Sequence, residues 1–410
     1  MAFFRSLECL LHRTAAFCFF LLFFSCSEPG NDSSFFDLFE DKDQKEEVVV
    51  PASFTEGSAI QLCMQVDSMF KYLHQKKGFN GTVLVTKYDQ VIYQGAFGYA
   101  DFKRKDTLTT QTVFQLASVS KQFTAMAIMM LKEQGVLTYE DSVQQYFPWF
   151  PYKGITIRHL LTHRSGLPDY TYFSEKHWPN RNLPISNQQV LQLLTEHQPQ
   201  VYYQPDKRFF YSNTGYLLLA AIVEEASGIS FESFLQKRIF EPLEMTRTYT
   251  YNPELIAQPG VVATGYLSGR RKRTPDYLDS VLGDKGVYST VEDLYKWDQA
   301  LYTQKLVKRA TLKEAFAVTN GVDKKTEDYG FGWRIRQVES GDTVVYHGGL
   351  WHGFNTYFLR NPKDHSTIIV LSNLTNGSLN YMKEIRNFLY PAPPVIIANH
   401  STENEKAAGS

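Results

Sequence analysis

Apolar residues recur at helical spacing at Leu62, Val66, Met69, Phe70 and Leu73, so an amphipathic helix is expected from about Ile60. Two β-rich runs follow, Gly81 to Thr86 and Gln90 to Gln94, and Lys87, Tyr88 and Asp89 between them mark a hairpin. From Ser118 to about Asp298 helical patterning dominates, broken by Pro- and Gly-rich loops. β-rich runs return at Gly332–Val338, Thr343–Tyr346, Asn355–Leu359 and Thr367–Leu371. A last helix is expected from Leu379 to Leu389, stopped by Pro391. Strands at both ends with helices between them point to an α+β fold rather than alternating βαβ units. The expectation is an antiparallel sheet flanked by N- and C-terminal helices, with an inserted, mostly helical region. The sheet part falls at about 60–112 and 284–391, and the helical part at about 113–283.

The first residues follow a different rule. Arg5 and Arg13 precede an apolar run from Ala15 to Phe24, followed by Ser25 and Cys26. A helix needs about 20 residues to cross a hydrocarbon core, and this run is shorter. Charge followed by a short apolar run is the order of a secretory signal, so residues 1–25 read as a signal peptide. Ser25-Cys26 resembles a bacterial lipoprotein cleavage site at which Cys26 becomes lipidated, although Phe23 and Phe24 are bulkier than the residues that usually precede it. Residues 26–59 then form a polar tether, 60–391 the folded domain and 392–410 a loose tail. The protein is expected outside the cytoplasm, in the periplasm or cell envelope, with the membrane reached through an anchor at Cys26.

Composition narrows the functional classes. The 410 residues carry 42 Lys+Arg against 43 Asp+Glu, a formal net charge of −1, so no overall field attracts nucleic acid. Hydrophobic residues are 43% and charged residues 21%, as in a globular domain rather than a disordered chain. Cys9, Cys18 and Cys26 crowd the N-terminus, only Cys63 lies beyond them, and no CxxC pair occurs. His159 and His163 are four apart but lack the glutamate of an HExxH motif. No metal and no cofactor are expected.

Three short motifs carry the chemistry. Ser118 and Lys121, three apart at the start of a helical run, share a face. The helix dipole there favours a serine oxyanion, and a desolvated lysine can relay its proton. Alone, Ser118 would read as a helix cap. Tyr211 and Asn213 stand ahead of another apolar helix, where a tyrosine beside a lysine can act as base and an asparagine can bind a substrate carbonyl or orient the lysine. His347, Gly348 and Gly349 follow a β-rich run, where small residues let a substrate approach the strand and its N–H groups.

S-x-x-K, Y-x-N and H-x-G in this order resemble the penicillin-recognising serine hydrolases, on the branch of class C β-lactamases, DD-peptidases and esterases. Ile155 to Pro168, Pro242 to Met245, Gly283 to Trp297 and Tyr329 to Trp333 extend the likeness over roughly 60–390. The resemblance implies Ser118 as acylated nucleophile, Lys121 as proton relay, Tyr211 as base and Asn213 on the substrate. It places His347 and Gly349 along the site, with the backbone N–H groups of Ser118 and Leu350 as oxyanion hole. Family β-lactamases usually carry lysine where His347 stands, and histidine is only partly charged near neutrality. This departure favours an esterase or D-amino-acid peptidase. The substrate is then a small molecule or peptide. The alternatives are a β-lactamase or DD-carboxypeptidase acting on cell-wall peptides, or a catalytically silent penicillin-binding module.

Overall fold

The computed structural model describes residues 43–258, 260–274, 276–317 and 328–392, which fall in one unit. The expected signal segment, Cys26 and the tail from 393 onward lie outside the described residues. The first helix spans Glu56–Lys77 and buries Leu62, Val66, Phe70 and Leu73, the stripe seen in the sequence. It starts earlier than that stripe because Thr55 caps it in a reciprocal capping box with Ser58, adding a polar first turn. Gly78, with φ of 70°, ends it in the left-handed conformation that favours glycine.

A seven-stranded sheet forms the frame. In spatial order its strands are Asp328–Tyr329, Arg334–Gln337, Thr343–Trp351, Phe354–Asn361, Ser366–Ser372, Gly81–Lys87 and Gln90–Phe97. Every neighbouring pair is antiparallel. The hairpin expected at Lys87–Asp89 therefore docks beside the C-terminal strands, and the sheet is closed by pairing residues nearly 300 positions apart, such as Gly81 with Ser372. Gly81–Lys87 and Ser366–Ser372 are interior strands of the sheet and are buried throughout on both faces, which is why they read as unbroken rather than alternating runs.

Each face has its own cover. The first helix and the last, Met382–Leu389, pack Phe70, Val66 and Ile385 against Val83, Val85 and Val370. The opposite face receives the helical region, where Leu84, Phe358 and Ile369 meet residues of Lys121–Glu133, Asn213–Ser227 and Val291–Ala300. Lys121–Glu133 is buried on every side from Lys121 to Leu131, as a helix apolar all round should be. Arg360, fully buried on the sheet, donates through Nε to Asp298 Oδ1 at 2.8 Å and so ties the helix Val291–Ala300 to the strands. The functional motifs gather where the helical region meets the sheet edge. Among the described residues, no helix is long and apolar enough to cross a membrane and no cluster of three metal-ligating side chains occurs.

Candidate active site

Ser118 sits in a single 3₁₀ turn, Ala117–Ser120, that runs into the buried helix beginning at Lys121. Ala117 adopts φ of 51°, a left-handed conformation that costs a non-glycine residue about 1 kcal/mol or more. The bend turns the serine out of the core, and Ser118 is half-buried while its neighbours are fully enclosed. Lys121, one turn on, is wholly buried. Its Nζ donates to Ser118 Oγ at 3.2 Å, to Asn213 Oδ1 at 2.9 Å and to the carbonyl of Asp284 at 2.8 Å. Those three acceptors use all three N–H bonds of an ammonium group.

The second motif closes on the first from the helix Asn213–Ser227. Asn213 is its first residue, and both its backbone N–H and its side-chain amide donate to Asp169 Oδ2 at 3.0 Å. Asp169 itself caps the helix Tyr170–His177. The Tyr211 ring lies with its centroid 5.0 Å from Lys121 Nζ and 4.2 Å from the His163 ring. His163 Nδ1 accepts the N–H of Ser212 at 3.2 Å, which fixes the backbone between Tyr211 and Asn213. His163 is thus a packing and anchoring residue, as its lack of a metal motif implied.

The third motif is a strand edge. Thr343–Trp351 runs further than its β-rich start suggests, because Gly348 and Gly349 continue the ladder opposite Tyr357 and Thr356. Gly349 faces the nucleophile turn so closely that a Cβ would stand 2.3 Å from the carbonyl oxygen of Leu116 and 3.0 Å from the Ala117 side chain. Glycine is what lets strand and turn touch. Leu350, next along, is 62% exposed and marks the open end of the strand. A second close approach is at Gly332, with φ of 81°, where a Cβ would lie 2.8 Å from the carbonyl oxygen of Lys121.

His347 does not bring a charge. It is buried, its Nδ1 donates to the carbonyl of Gly348 at 2.7 Å, and its Nε2 accepts from the Tyr329 hydroxyl at 2.9 Å. Burial, then the charges of Lys121 and Arg334, hold its pKa well below the usual histidine value, and burial with Lys121 does the same for His163. The cation on this side of the site is Arg334, whose guanidinium carbon lies 5.6 Å from the Tyr211 ring centroid. Both histidines are neutral in the fold, whereas in the unfolded chain they protonate near 6.5. Below that pH the unfolded state binds more protons, so stability falls as pH drops, by about 1.4 kcal/mol per pH unit for each histidine. Urea unfolding at pH 7.5 and 5.5 measures this; equal midpoints would contradict it.

The structure thus gathers Ser118, Lys121, Tyr211, Asn213, His347 and Gly349 around one edge, with Leu350 at its end. It adds Asp169, Tyr329 and Arg334, to which sequence reasoning gave no role. Asp284 belongs here too: its carbonyl holds Lys121 and its carboxylate accepts from the Tyr170 hydroxyl at 3.0 Å. Tyr170 is also bonded by the buried Lys285, so a second lysine lies behind the first.

Comparison with known proteins follows the same outline. The beta-lactamase family model matches residues 66–387. A penicillin-binding protein of Bacillus subtilis (strain 168) is 39% identical over 361 residues, which cover 83% of this chain and 79% of that protein. The octameric penicillin-binding protein homologue from Pyrococcus abyssi superposes with a TM-score of 0.71 and 27% identity, over 81% of this chain and 78% of that one. EstCE1, a hydrolase with promiscuous acyltransferase activity, superposes with a TM-score of 0.70 over 82% of this chain and 100% of that one. Its identity of 21% makes that likeness one of fold.

Proposed function

The chain belongs to the beta-lactamase family as a serine hydrolase, and on that premise we propose that it cleaves an ester or amide through an acyl-enzyme on Ser118. The observation that carries this reading is the three-way bonding of buried Lys121 to Ser118 Oγ, Asn213 Oδ1 and the Asp284 carbonyl. An ammonium whose three protons are all engaged orients the serine but cannot accept its proton. The base is then Tyr211, whose ring stands beside both Lys121 and Arg334. Ser118 Oγ attacks the carbonyl carbon as its proton passes to the oxygen of Tyr211, which enters the cycle as phenolate. The oxyanion that forms faces the backbone N–H groups of Ser118 and Leu350. Collapse breaks the bond to the alcohol or amine, which leaves with the proton from Tyr211. Water, deprotonated by the same tyrosine, then releases the acid and restores Ser118.

Neutral His347 bears on the substrate. Where family β-lactamases usually carry a lysine, this strand position is uncharged, and the esterase or D-amino-acid peptidase reading rests on that; Arg334 brings its charge from the neighbouring strand. Intact-mass spectrometry after brief exposure to a fluorophosphonate, with a penicillin in parallel, tests the proposal. An adduct mapped to Ser118 from both reagents supports acyl-enzyme chemistry on cell-wall peptides, and rapid loss of the penicillin adduct identifies a β-lactamase. Fluorophosphonate labelling alone supports the esterase. No adduct from either reagent overturns the acyl-enzyme.

A further inference from the structure

A pocket of about 280 Å³ is lined by none of the residues of the site just described, although Gln115 and His352 in its wall stand close in sequence to Ser118 and Leu350. Its wall is largely apolar, built from Ile256, Val262, Ala263 and Phe354. Gln115 and His352 join the wall from the strand before the nucleophile turn and from the turn after Trp351. Pockets of this kind, apolar with a few convergent polar groups, are where small ligands bind.

Two features give the ligand its chemistry. Gln115 is 1% exposed, and its Nε2 has no hydrogen-bond partner. A buried donor without an acceptor is costly, and an oxygen in the pocket would relieve it. The second is charge. Arg270, Arg271, Lys272 and Arg273 run consecutively, and Lys272 and Arg273 line the mouth with their side chains exposed. Among the described residues, no carboxylate is paired with either of these two. The carboxylate that does line the pocket, Asp279, is already engaged: Trp351 Nε1 donates to its Oδ1 at 2.7 Å, and His352 Nδ1 lies 2.8 Å from the same oxygen. Positive charge at the rim is therefore not taken up by an ion pair among the described residues.

We propose that this pocket binds a small amphipathic anion, an organic acid with a compact aromatic or short alkyl body. The body sits on Ile256, Val262 and Phe354, an acceptor oxygen meets Gln115 Nε2, and the acid group stays at the mouth with Lys272 and Arg273. The acylation site is not needed for this binding.

The probe is 4-phenoxybutyrate, whose ether oxygen is the acceptor for Gln115, titrated calorimetrically against the whole protein, with 4-phenoxybutanol as its neutral counterpart. Saturable one-to-one binding is expected, at least fivefold tighter for the acid than for the alcohol. Lys272→Ser with Arg273→Ser should weaken the acid at least fivefold and leave the alcohol unchanged. Ile256→Trp, which fills the pocket, should abolish binding while fluorophosphonate labelling of Ser118 continues. Protein labelled beforehand at Ser118 should bind the acid as before. Absence of saturable binding, equal affinity for acid and alcohol, or binding that survives Ile256→Trp would each overturn the proposal. So would binding lost on labelling Ser118, which would put the acid in the catalytic cleft.

Discussion

Ser118→Ala is expected to lose at least about a thousandfold in the rate of ester hydrolysis while melting within a few degrees of the parent. The size of the loss follows from the role: a nucleophile removed from an interdependent set leaves only the catalysis that binding and oxyanion contacts supply. The small effect on stability follows from the surroundings. Ser118 is half-buried, the turn that carries it has no side-chain cap bond, and among the described residues its hydroxyl is hydrogen-bonded by Lys121 alone. Without it, Lys121 keeps Asn213 and the Asp284 carbonyl. Removal of one such polar contact costs about 1 kcal/mol. Steady-state hydrolysis and thermal unfolding of the same preparation separate the two effects. Hydrolysis at the parent rate would show that the nucleophile lies elsewhere.

That serine was legible in the sequence because chemistry of this kind is written locally. Lys121 is three positions on from Ser118 and Asn213 two positions on from Tyr211, so each pair is held by one turn of backbone. The fold was legible for a similar reason. Residues such as Leu62, Val66, Phe70 and Leu73 show their burial in the period of the pattern around them. What the pattern could not convey is which segments meet. Nothing within ten residues of Asp169 announces that its carboxylate will receive both N–H groups of Asn213, 44 positions on. Asp169 follows a proline and precedes a helix, so it reads as a helix cap, and it is one. Its second role exists only after the two helix starts converge.

His347 shows the same limit in its charge. Read from the strand alone, a histidine near neutrality is partly charged. Its state in the fold is decided by burial first and then by the charges of Lys121, far from it in sequence, and Arg334. Arg334 brings the charge instead, from the neighbouring strand, where it pairs with Tyr346 directly before the motif. Sequence order places Arg334 and Tyr211 more than a hundred residues apart, and only the sheet edge puts the guanidinium beside the ring. Gly349 was more accessible to reading, since two adjacent glycines in a strand signal a close approach. What approaches, the carbonyl of Leu116, needed the structure.

Tyr211→Phe is expected to lower kcat about a hundred- to ten-thousand-fold, the range for losing a general base, with KM changed little. The phenyl ring preserves what the tyrosine ring does for the fold, its contact with His163 at 4.2 Å and its place beside Lys121 at 5.0 Å. Only the oxygen goes. The same oxygen is assigned to both half-reactions, so the rate of fluorophosphonate labelling and the rate of deacylation should both fall. A purely structural tyrosine would move neither once its ring was replaced. If kcat drops less than tenfold, the proton must go to Lys121, which would then have to release one of its three acceptors in the working enzyme. Lys121→Met distinguishes that case. With Tyr211 as base, the methionine variant loses the orientation of Ser118 and Asn213 but keeps a proton acceptor. With Lys121 as base, it loses as much as Ser118→Ala.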